Sequence, residues 1–412
     1  MNKRQVIFIL IVALLGVVGF NVYQQLSQER TTSTEPVKIM AAKAHKHAAS
    51  GVVSIDIKYI NDTLHLLSGK IEQGKHGLWY QSSQDQGKTW SESVNATAGL
   101  DIQAKFHRGN DARLAVQGNH IVAVWMSKKE GVPHNAGPMM SVRSADGGQS
   151  WQLATMPADW QGPHGFFAMD GNDEQISLVW LDSREQVGKG SQGLRYSNST
   201  DGGLTWSKNL TLDQETCACC WNTAVFDDKG QLYVLYRDKN PSDMALGQVN
   251  EQQWQRLNTV GEFNWDFEGC PHIGGGFAID TIQKQFHATV STGHEQHLGV
   301  YYLNSVDQGQ SWSTPIQLGD SRAVHSDVAV ANNGNLIAAW DFISDSGFQV
   351  VHSESNDQGM NWSKAKLLSA DDKASSHPRV VAMQDNALIL WTEKDVDGVH
   401  TLRMITTEPK ND

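Results

Sequence analysis

The sequence predicts an all-β fold made of repeated antiparallel sheets, and two observations predict it. One eight-residue pattern, Ser-x-Asp-x-Gly-x-x-Trp, occurs five times, at residues 83–90, 144–151, 199–206, 305–312 and 355–362. In addition, a pair of apolar strands separated by a polar turn occurs seven times between Val53 and Trp391. Repetition at intervals of about fifty to sixty residues, with one double gap, indicates one supersecondary unit used many times.

Each copy of the eight-residue pattern predicts a self-supporting hairpin turn. The aspartate accepts hydrogen bonds from backbone N–H groups of its own turn. The glycine supplies a positive φ angle, and the tryptophan buries a large ring beside the turn. The pattern therefore predicts a structural role, not a catalytic one, for Asp85, Asp146, Asp201, Asp307 and Asp357.

These five segments resemble the Asp-box, or BNR, repeats of sialidase-like β-propellers. The resemblance covers most of the chain after residue 50 and implies a β-propeller of four-stranded antiparallel blades. It is specific for the fold and much less so for the activity, because one scaffold carries many functions. A further block, Cys217-Ala-Cys-Cys220 through Tyr236-Arg-Asp238 to Cys270-Pro, is similar to bacterial secreted sialidase-like proteins.

The seven strand pairs favour seven blades, two of them without a recognisable box. The alternative is a six-bladed sialidase-type ring with one terminal unit packed outside it. The last unit ends after its third strand, near Ile405, so the ring needs a strand from the other terminus. Residues 37–41 are the predicted closing strand.

The N-terminal region differs from the rest of the chain. Lys3 and Arg4 precede an apolar run, so residues 1–23 are predicted to be a signal anchor or a signal peptide. An anchor is favoured because no clean small-residue cleavage site follows Phe20. Residues 24–50 form a polar tether and residues 51–408 the propeller. The charge bias places the propeller outside the cytoplasm, in the periplasm, either anchored to the inner membrane or secreted.

The charge of the chain limits the classes of partner. The net charge is -12 and no basic patch occurs, which argues against nucleic acid. The expected partners are the membrane, through the N-terminal segment, and either a small-molecule or glycan ligand or a periplasmic protein.

The four cysteines, Cys217, Cys219, Cys220 and Cys270, allow two interpretations. In an oxidising compartment an even number indicates disulfides. The expected arrangement joins Cys270 to Cys217 or Cys220 and leaves a local bridge or a free thiol. The alternative is a thiolate metal site with His272, because sulfur and imidazole ligands suit copper or zinc.

Alignment of the seven inner strands by their first residues predicts the functional end of the propeller. Those positions are Val53, Asp111, His164, Asn222, His272, His325 and His377. The second strands end at the same face with Asp182, Arg184, Arg237, Asp238, Asp341 and Glu393. We predict one funnel there. Its metal ligands are His164, His272, His325 and His377 with the four cysteines, and its catalytic candidates are Asp111, Asp182, Arg184, Arg237 and Asp238.

The resemblance transfers the fold but not the catalytic residues of sialidases. Sialidases hold the substrate carboxylate with three arginines, the first in a Phe-Arg-Ile-Pro-like segment that this chain lacks. Arg113 and Arg379 lie past the aligned positions. Three functions remain open: a copper- or zinc-binding propeller in metal handling or redox chemistry, a glycosidase or lyase, and a non-catalytic assembly or binding propeller.

Overall fold

The strands fall into seven consecutive groups along the chain. A computed structural model describes residues 49–185, 190–250 and 252–407. The first three groups are β1 (Ser50–Ile60), β2 (Thr63–Glu72), β3 (Lys75–Ser83), β4 (Val94–Asn95); β5 (Arg113–Gln117), β6 (His120–Lys128), β7 (Ala136–Ser144), β8 (Gln152–Leu153); β9 (His164–Gly171), β10 (Ile176–Asp182), β11 (Ser191–Ser199) and β12 (Leu210–Cys217).

The next three groups also have four strands each, and the last has three. They are β13 (Thr223–Phe226), β14 (Leu232–Arg237), β15 (Met244–Asn250), β16 (Gln253–Val260); β17 (Gly276–Asp280), β18 (Gln285–Thr292), β19 (Gly299–Ser305), β20 (Ile316–Gly319); β21 (Ala323–Val330), β22 (Leu336–Ser344), β23 (Gly347–Ser355), β24 (Lys366–Leu367); and β25 (Ala374–Ala382), β26 (Ala387–Lys394) and β27 (Val399–Thr406). One 3₁₀ turn, Pro133–Asn135, precedes β7.

Each group is an antiparallel sheet, and the groups form a ring. The first strands contact one another in chain order from β1 to β25, and β25 contacts β1. The last group joins the first by parallel pairing of β27 with β1, at Ser50 with Val399 and Gly51 with His400. The predicted all-β propeller of four-stranded antiparallel blades is therefore confirmed, whereas the number of blades stays a prediction.

The predicted N-terminal segments lie outside the described residues. This holds for the signal anchor or signal peptide, for the closing strand at 37–41 and for almost all of the tether. The first described strand begins at Ser50, next to the predicted start of the propeller. In the part of the chain that the structure describes, no helix has the length and apolar character to cross a membrane.

Apolar side chains fill the space between neighbouring groups. One core cluster combines residues of the first and second groups around Trp125, and another combines the second and third around Trp180. Both indole rings are completely buried. Since buried apolar area stabilises a fold by about 25 cal/mol per Å², these interfaces hold adjacent sheets together.

The five boxes lie in the turns between third and fourth strands, where their aspartates have the predicted structural role. Asp146 accepts hydrogen bonds from the Ser150 amide at 2.9 Å and the Ser144 hydroxyl at 2.7 Å. The Ser150 hydroxyl, then the Ser150 amide and Ser144, lower the pKa of Asp146 to about 2. The Trp151 indole donates to the Gly148 carbonyl at 3.0 Å. The box therefore closes on itself.

Two boxes cover a histidine–tyrosine pair of the preceding group. A Cβ atom on Gly148 would lie 2.1 Å from the Tyr80 ring, and one on Gly359 would lie 2.2 Å from the Tyr302 ring. The hydroxyl of Tyr80 lies 2.7 Å from His65 Nδ1, and Tyr302 is related to His287 in the same way. The glycine of the box is thus required for close approach as well as for its φ angle.

Replacement of Gly148 by alanine is expected to destabilise the protein by about 3 kcal/mol, because the methyl group adds a clash to the cost of a positive φ angle. Gly147 is the matched control, since its φ is also positive, at 69°, and no atom lies within 4 Å of the position that an added methyl group would take. Gly147→Ala is expected to cost about 1 kcal/mol. Urea unfolding measures both, and equal losses would contradict the close-packing argument.

Candidate functional site at the end of the central channel

A belt of paired charges lines the central channel, on the first strands and in the loop that precedes β5. Each carboxylate of the belt pairs with an arginine and also accepts a backbone N–H from a neighbouring first strand. Asp56, for example, lies 3.1 Å from Arg113 and accepts from the Leu114 amide at 2.9 Å. The other two pairs are Asp111 with Arg108 at 2.9 Å and Asp327 with Arg379 at 3.3 Å.

The belt has no excess charge, since three carboxylates face three guanidinium groups. The Arg108 guanidinium makes a further hydrogen bond, because it donates to the backbone carbonyl of His377 at 2.8 Å. Arg108 and Arg113 are therefore committed to the protein itself, whereas Arg379 has the Asp327 ion pair and no hydrogen bond at its buried Nε. A substrate carboxylate would compete with three resident carboxylates for the arginines of the belt.

Two stacked histidines lie above the belt. The ring centroids of His325 and His377 are 3.7 Å apart with an interplanar angle of 19°. The Trp221 ring lies 5.5 Å from both. A narrow cavity is lined by these three side chains and by the arginines of the belt. The structure therefore brings together His325 and His377, two of the residues that the alignment of inner strands placed at the same face.

Asp341 holds both histidines. Its fully buried carboxylate accepts a hydrogen bond from His325 Nδ1 at 2.7 Å and from the His325 amide at 3.0 Å. It also accepts from the His377 amide at 2.8 Å. Because Nδ1 donates to Asp341, the neutral form of this ring carries its lone pair on Nε2.

Two further rings have a partner at Nδ1. His377 Nδ1 lies 3.1 Å from the Ser376 hydroxyl, and His107 Nδ1 donates to the Arg108 carbonyl at 2.9 Å. Within the described chain, Nε2 of His107, His325 and His377 has no hydrogen-bond partner. Burial, and then the neighbouring His325, hold the pKa of His377 well below its usual range. Its imidazole is thus neutral and able to act as a ligand.

His272 lies at the exposed rim of this group. Although the residue is exposed at the surface, partial desolvation of its ring lowers the pKa of His272, and the nearby His107 and His325 lower it further. The prediction that His272 begins an inner strand is wrong, because the strand begins at Gly276. The histidine belongs instead to the preceding loop, with φ of 59°. We call His107, His272, His325 and His377 the histidine cluster.

The cysteines form two disulfides, Cys217–Cys220 and Cys219–Cys270. The expected pairing of Cys270 with Cys217 or Cys220 is wrong, although the disulfide interpretation itself is the one present. In bridged form the four sulfurs supply no thiolate, so the structure does not support their prediction as metal ligands. The Cys219–Cys270 bridge joins the segment that carries Trp221 to the loop that carries His272, and thereby fixes one side of the cluster.

His164 does not join the cluster. Its Nδ1 accepts from the Met139 amide at 3.0 Å, and its ring packs against Trp160 and Trp180. Nε2 of His164 is buried without a partner among the described residues. Burial lowers the pKa of His164 to about 4. This histidine is a neutral core residue, and its prediction as a metal ligand is not supported by its position.

The predicted catalytic residues are distributed over separate ion pairs and backbone contacts. Asp111 belongs to the belt. Asp182 is fully buried and pairs with Arg184 at 2.8 Å and with Arg195 at 3.2 Å. Asp238 pairs with Arg256 at 3.1 Å, and burial raises the pKa of Asp238.

Arg237 is likewise a structural residue, because its buried guanidinium donates to backbone carbonyls. Asp111 reaches the histidine cluster only through Arg108, which donates to the His377 carbonyl. Within the described ranges, the other four candidates make no contact with the cluster. The structure therefore does not bring the five catalytic candidates together in one site.

Sequence reasoning missed three residues of the site: His107, Arg108 and Trp221. All three lie in loops that precede a first strand, so an alignment of strand starts does not include them. A signal was present, because His107-Arg108 and Trp221 closely precede the aligned positions Asp111 and Asn222.

Comparisons with known proteins identify the fold. No family model and no curated protein matches the chain. Among solved structures, a polysaccharide lyase, a PL25 ulvan lyase bound to -[GlcA(1-4)Rha3S]-, superposes with a TM-score of 0.59 at 14% identity, covering 87% of this chain and 94% of the lyase. A leech intramolecular trans-sialidase gives a TM-score of 0.48 at 12% identity, covering 93% and 72%. At 14% identity the likeness to the lyase shows a shared fold and no more.

Proposed function

We propose that this propeller binds a transition metal, copper or zinc, at the histidine cluster. One observation carries the proposal: three of the four rings have Nδ1 held by another group, which leaves Nε2 available. Histidines that bind metals usually donate their other ring N–H to a carboxylate or a carbonyl, which fixes the tautomer and the ring orientation. Imidazole nitrogen suits copper and zinc.

His325 and His377 are the central ligands of the proposed site. Asp341 acts behind them, because its carboxylate already accepts three hydrogen bonds. Among the described residues only Asp341 places a ligand atom within 4.8 Å of both rings, so His272 or His107 would have to move inward from the rim to add a further ligand. Because the rim is exposed, a bound metal would keep a position open for an external ligand, as catalytic and transport sites do.

The proposed location is outside the cytoplasm, with the N-terminal segment as membrane anchor or signal. The two disulfides support this location, since such bridges persist in oxidising compartments.

Removal of the central pair is expected to abolish metal binding. The full chain, purified without a polyhistidine tag, should bind one equivalent of Cu²⁺ or Zn²⁺ in calorimetry. Saturation at about 100 times Kd should stabilise it by about 2.7 kcal/mol. The double variant His325→Ala/His377→Ala should lose both effects, because two Nε2 ligands are gone.

His294→Ala/His297→Ala is the matched control, because those rings also stack, with centroids 5.5 Å apart, away from Asp341. The control should bind metal as the wild type does. Binding that persists in the central double variant, or no binding by the wild type, would refute the proposal.

A second candidate function is action on a glycan. The observation that favours it is the His325–Asp341 pair, since a carboxylate-oriented imidazole is the arrangement of a general base. The likeness to the ulvan lyase adds only the fold. A metal-free sample tested on a fluorogenic sialoside and on uronate polymers separates the two candidates. Cleavage by the wild type that is lost in His325→Ala supports the glycan function. If the wild type cleaves neither substrate, the metal proposal alone is left.

A further inference from the structure

The fourth group lacks a box, and this leaves part of the third group uncovered. In the first, fourth and fifth groups a third-strand residue lies under the box glycine of the next group, as Tyr80 lies under Gly148. Tyr196 of β11 occupies the matching place in the third group. The fourth group turns from β15 to β16 with a short hairpin, in which Asn250 pairs directly with Gln253. A groove therefore opens where a box would lie.

Amide and phenol side chains line this groove. Its principal lining residues are Gln175, Tyr196, Asn198, Tyr233, Gln248 and Gln252. The Gln252 amide donates to Asn198 Oδ1 at 2.8 Å, and the Asn198 amide donates to Gln175 Oε1 at 2.7 Å. This chain of hydrogen bonds orients the side chains. The side-chain nitrogen of Gln175, Nε2, is left without a partner in the described residues.

Tyr233 provides an independent indication of a ligand. The residue is only 2% exposed, and its ring packs on Phe277 and Phe286. The residue lines the groove, and its hydroxyl has no hydrogen-bond partner within the described ranges. Burial, and then Asp227, raise the pKa of Tyr233 to about 12, so the hydroxyl stays protonated. It can therefore both donate to and accept from a ligand.

The walls of the groove exclude two classes of ligand. The strands β11, β14 and β15 are each paired on both sides, so an extended peptide finds no free strand edge to join. Among the described lining residues, the two charged ones, Asp227 and Lys229, carry opposite charges. The Asp227 carboxylate accepts backbone N–H groups of its own turn. These walls therefore do not attract a strongly charged ligand.

We propose that this groove binds a neutral oligosaccharide. Each sugar hydroxyl can donate one hydrogen bond and accept another. Side-chain amides and phenols can do the same, so the two sets of groups can pair. A few such convergent polar groups are sufficient to orient a ligand in a cleft. The groove lies at the turn between first and second strands, at the opposite end of the strands from the histidine cluster. The proposal is therefore independent of the metal site.

Saturation-transfer NMR of the full chain tests the groove with maltotriose, cellotriose, mannotriose and chitotriose as probes. At least one should bind, and Tyr233→Phe should weaken its affinity about tenfold, because one hydrogen bond is lost while the ring packing stays. Gln175→Ala should weaken it by a similar factor. Thermal unfolding checks that both variants are folded.

Tyr301→Phe is the matched control, since it removes the hydroxyl of a mostly buried tyrosine on β19, outside the groove. Its affinity should equal that of the wild type. The proposal is overturned if none of the four probes binds, or if both groove variants bind as tightly as the control. Binding of extended peptides in place of the sugars would overturn it too.

Discussion

Replacement of Arg237 by methionine is expected to lower the free energy of unfolding by about 4 kcal/mol. The guanidinium is buried and donates to three carbonyls, those of Ile273 at 2.8 Å, Ser242 at 2.6 Å and Ser291 at 2.9 Å. Two of these belong to the fifth group or the loop before it, so Arg237 joins neighbouring sheets. Methionine fills a similar volume but leaves all three carbonyls without a donor. Urea unfolding measures the loss.

Arg256→Met is the control for that experiment. Its guanidinium pairs with Asp238, but the side chain is 41% exposed. Exposed ion pairs contribute about 0–1 kcal/mol, so a small loss is expected. Equal losses in the two variants would contradict the structural role. A loss of function at unchanged stability in Arg237→Met would restore the catalytic prediction.

Acidification from about pH 7 to about pH 4.5 is expected to destabilise the protein by several kcal/mol. Burial lowers the pKa of His65, His164 and His287 to about 4, from an ordinary value of 6.5. Between these values the unfolded chain binds more protons than the folded one. The stability is thus complete above pH 6.5 and is lost as the pH falls towards 4, by about 3 kcal/mol for each fully buried ring.

His287→Gln tests this assignment, because it removes one titrating ring beside Tyr302. The slope of unfolding free energy against pH should decrease in the variant. His297→Gln is the control, since His297 is an exposed residue of the loop before β19. An unchanged slope in His287→Gln would show that other groups cause the acid sensitivity.

The box aspartates do not contribute to this loss. Side-chain and backbone hydrogen bonds from Thr89 lower the pKa of Asp85 to about 2, and Ser150 has the same effect on Asp146. A lowered carboxyl pKa gives stability that is present above the ordinary value of 3.8 and is lost only as the pH falls towards 2. The turns therefore stay intact through the range in which the histidines titrate.

The fold was predictable because the boxes combine local chemistry with a regular spacing. Asp146, Gly148 and Trp151 act within one turn, and the same residues recur, so a local pattern was sufficient. The alternating apolar strands between boxes were recognisable for the same reason. Seven pairs were expected and all seven occur, with boundaries that differ by a few residues.

The site was predictable only in part, because bulges change which way a side chain faces. In β9 the pairing with β10 shifts register between Val179 and Leu181, near Phe166 with φ of 57°. One extra residue moves the preceding side chain to the other face of the strand. β21 and β25 have the same irregularity, between Ala323 and Ser326 and between Ser376 and Arg379. His325 and His377 lie within it and reach the cluster, whereas His164 precedes the shift and lies in the core.

Close packing explains the error at His272. A Cβ on Gly274 would lie 2.4 Å from the Trp221 carbonyl, so the chain passes that residue closely before pairing begins at Gly276. A contact between segments so far apart in sequence leaves no local pattern. The loop residues of the site, including His107, depend on contacts of the same kind.

The charge belt restricts how this chain can vary during evolution. Loss of Arg113 alone would leave Asp56 buried with an uncompensated charge, at a cost of about 3–5 kcal/mol. The same holds for Asp327 and Arg379. Each position is therefore expected to change only together with its partner, so homologous sequences should show the two pairs as covarying columns, with either an ion pair or two uncharged residues.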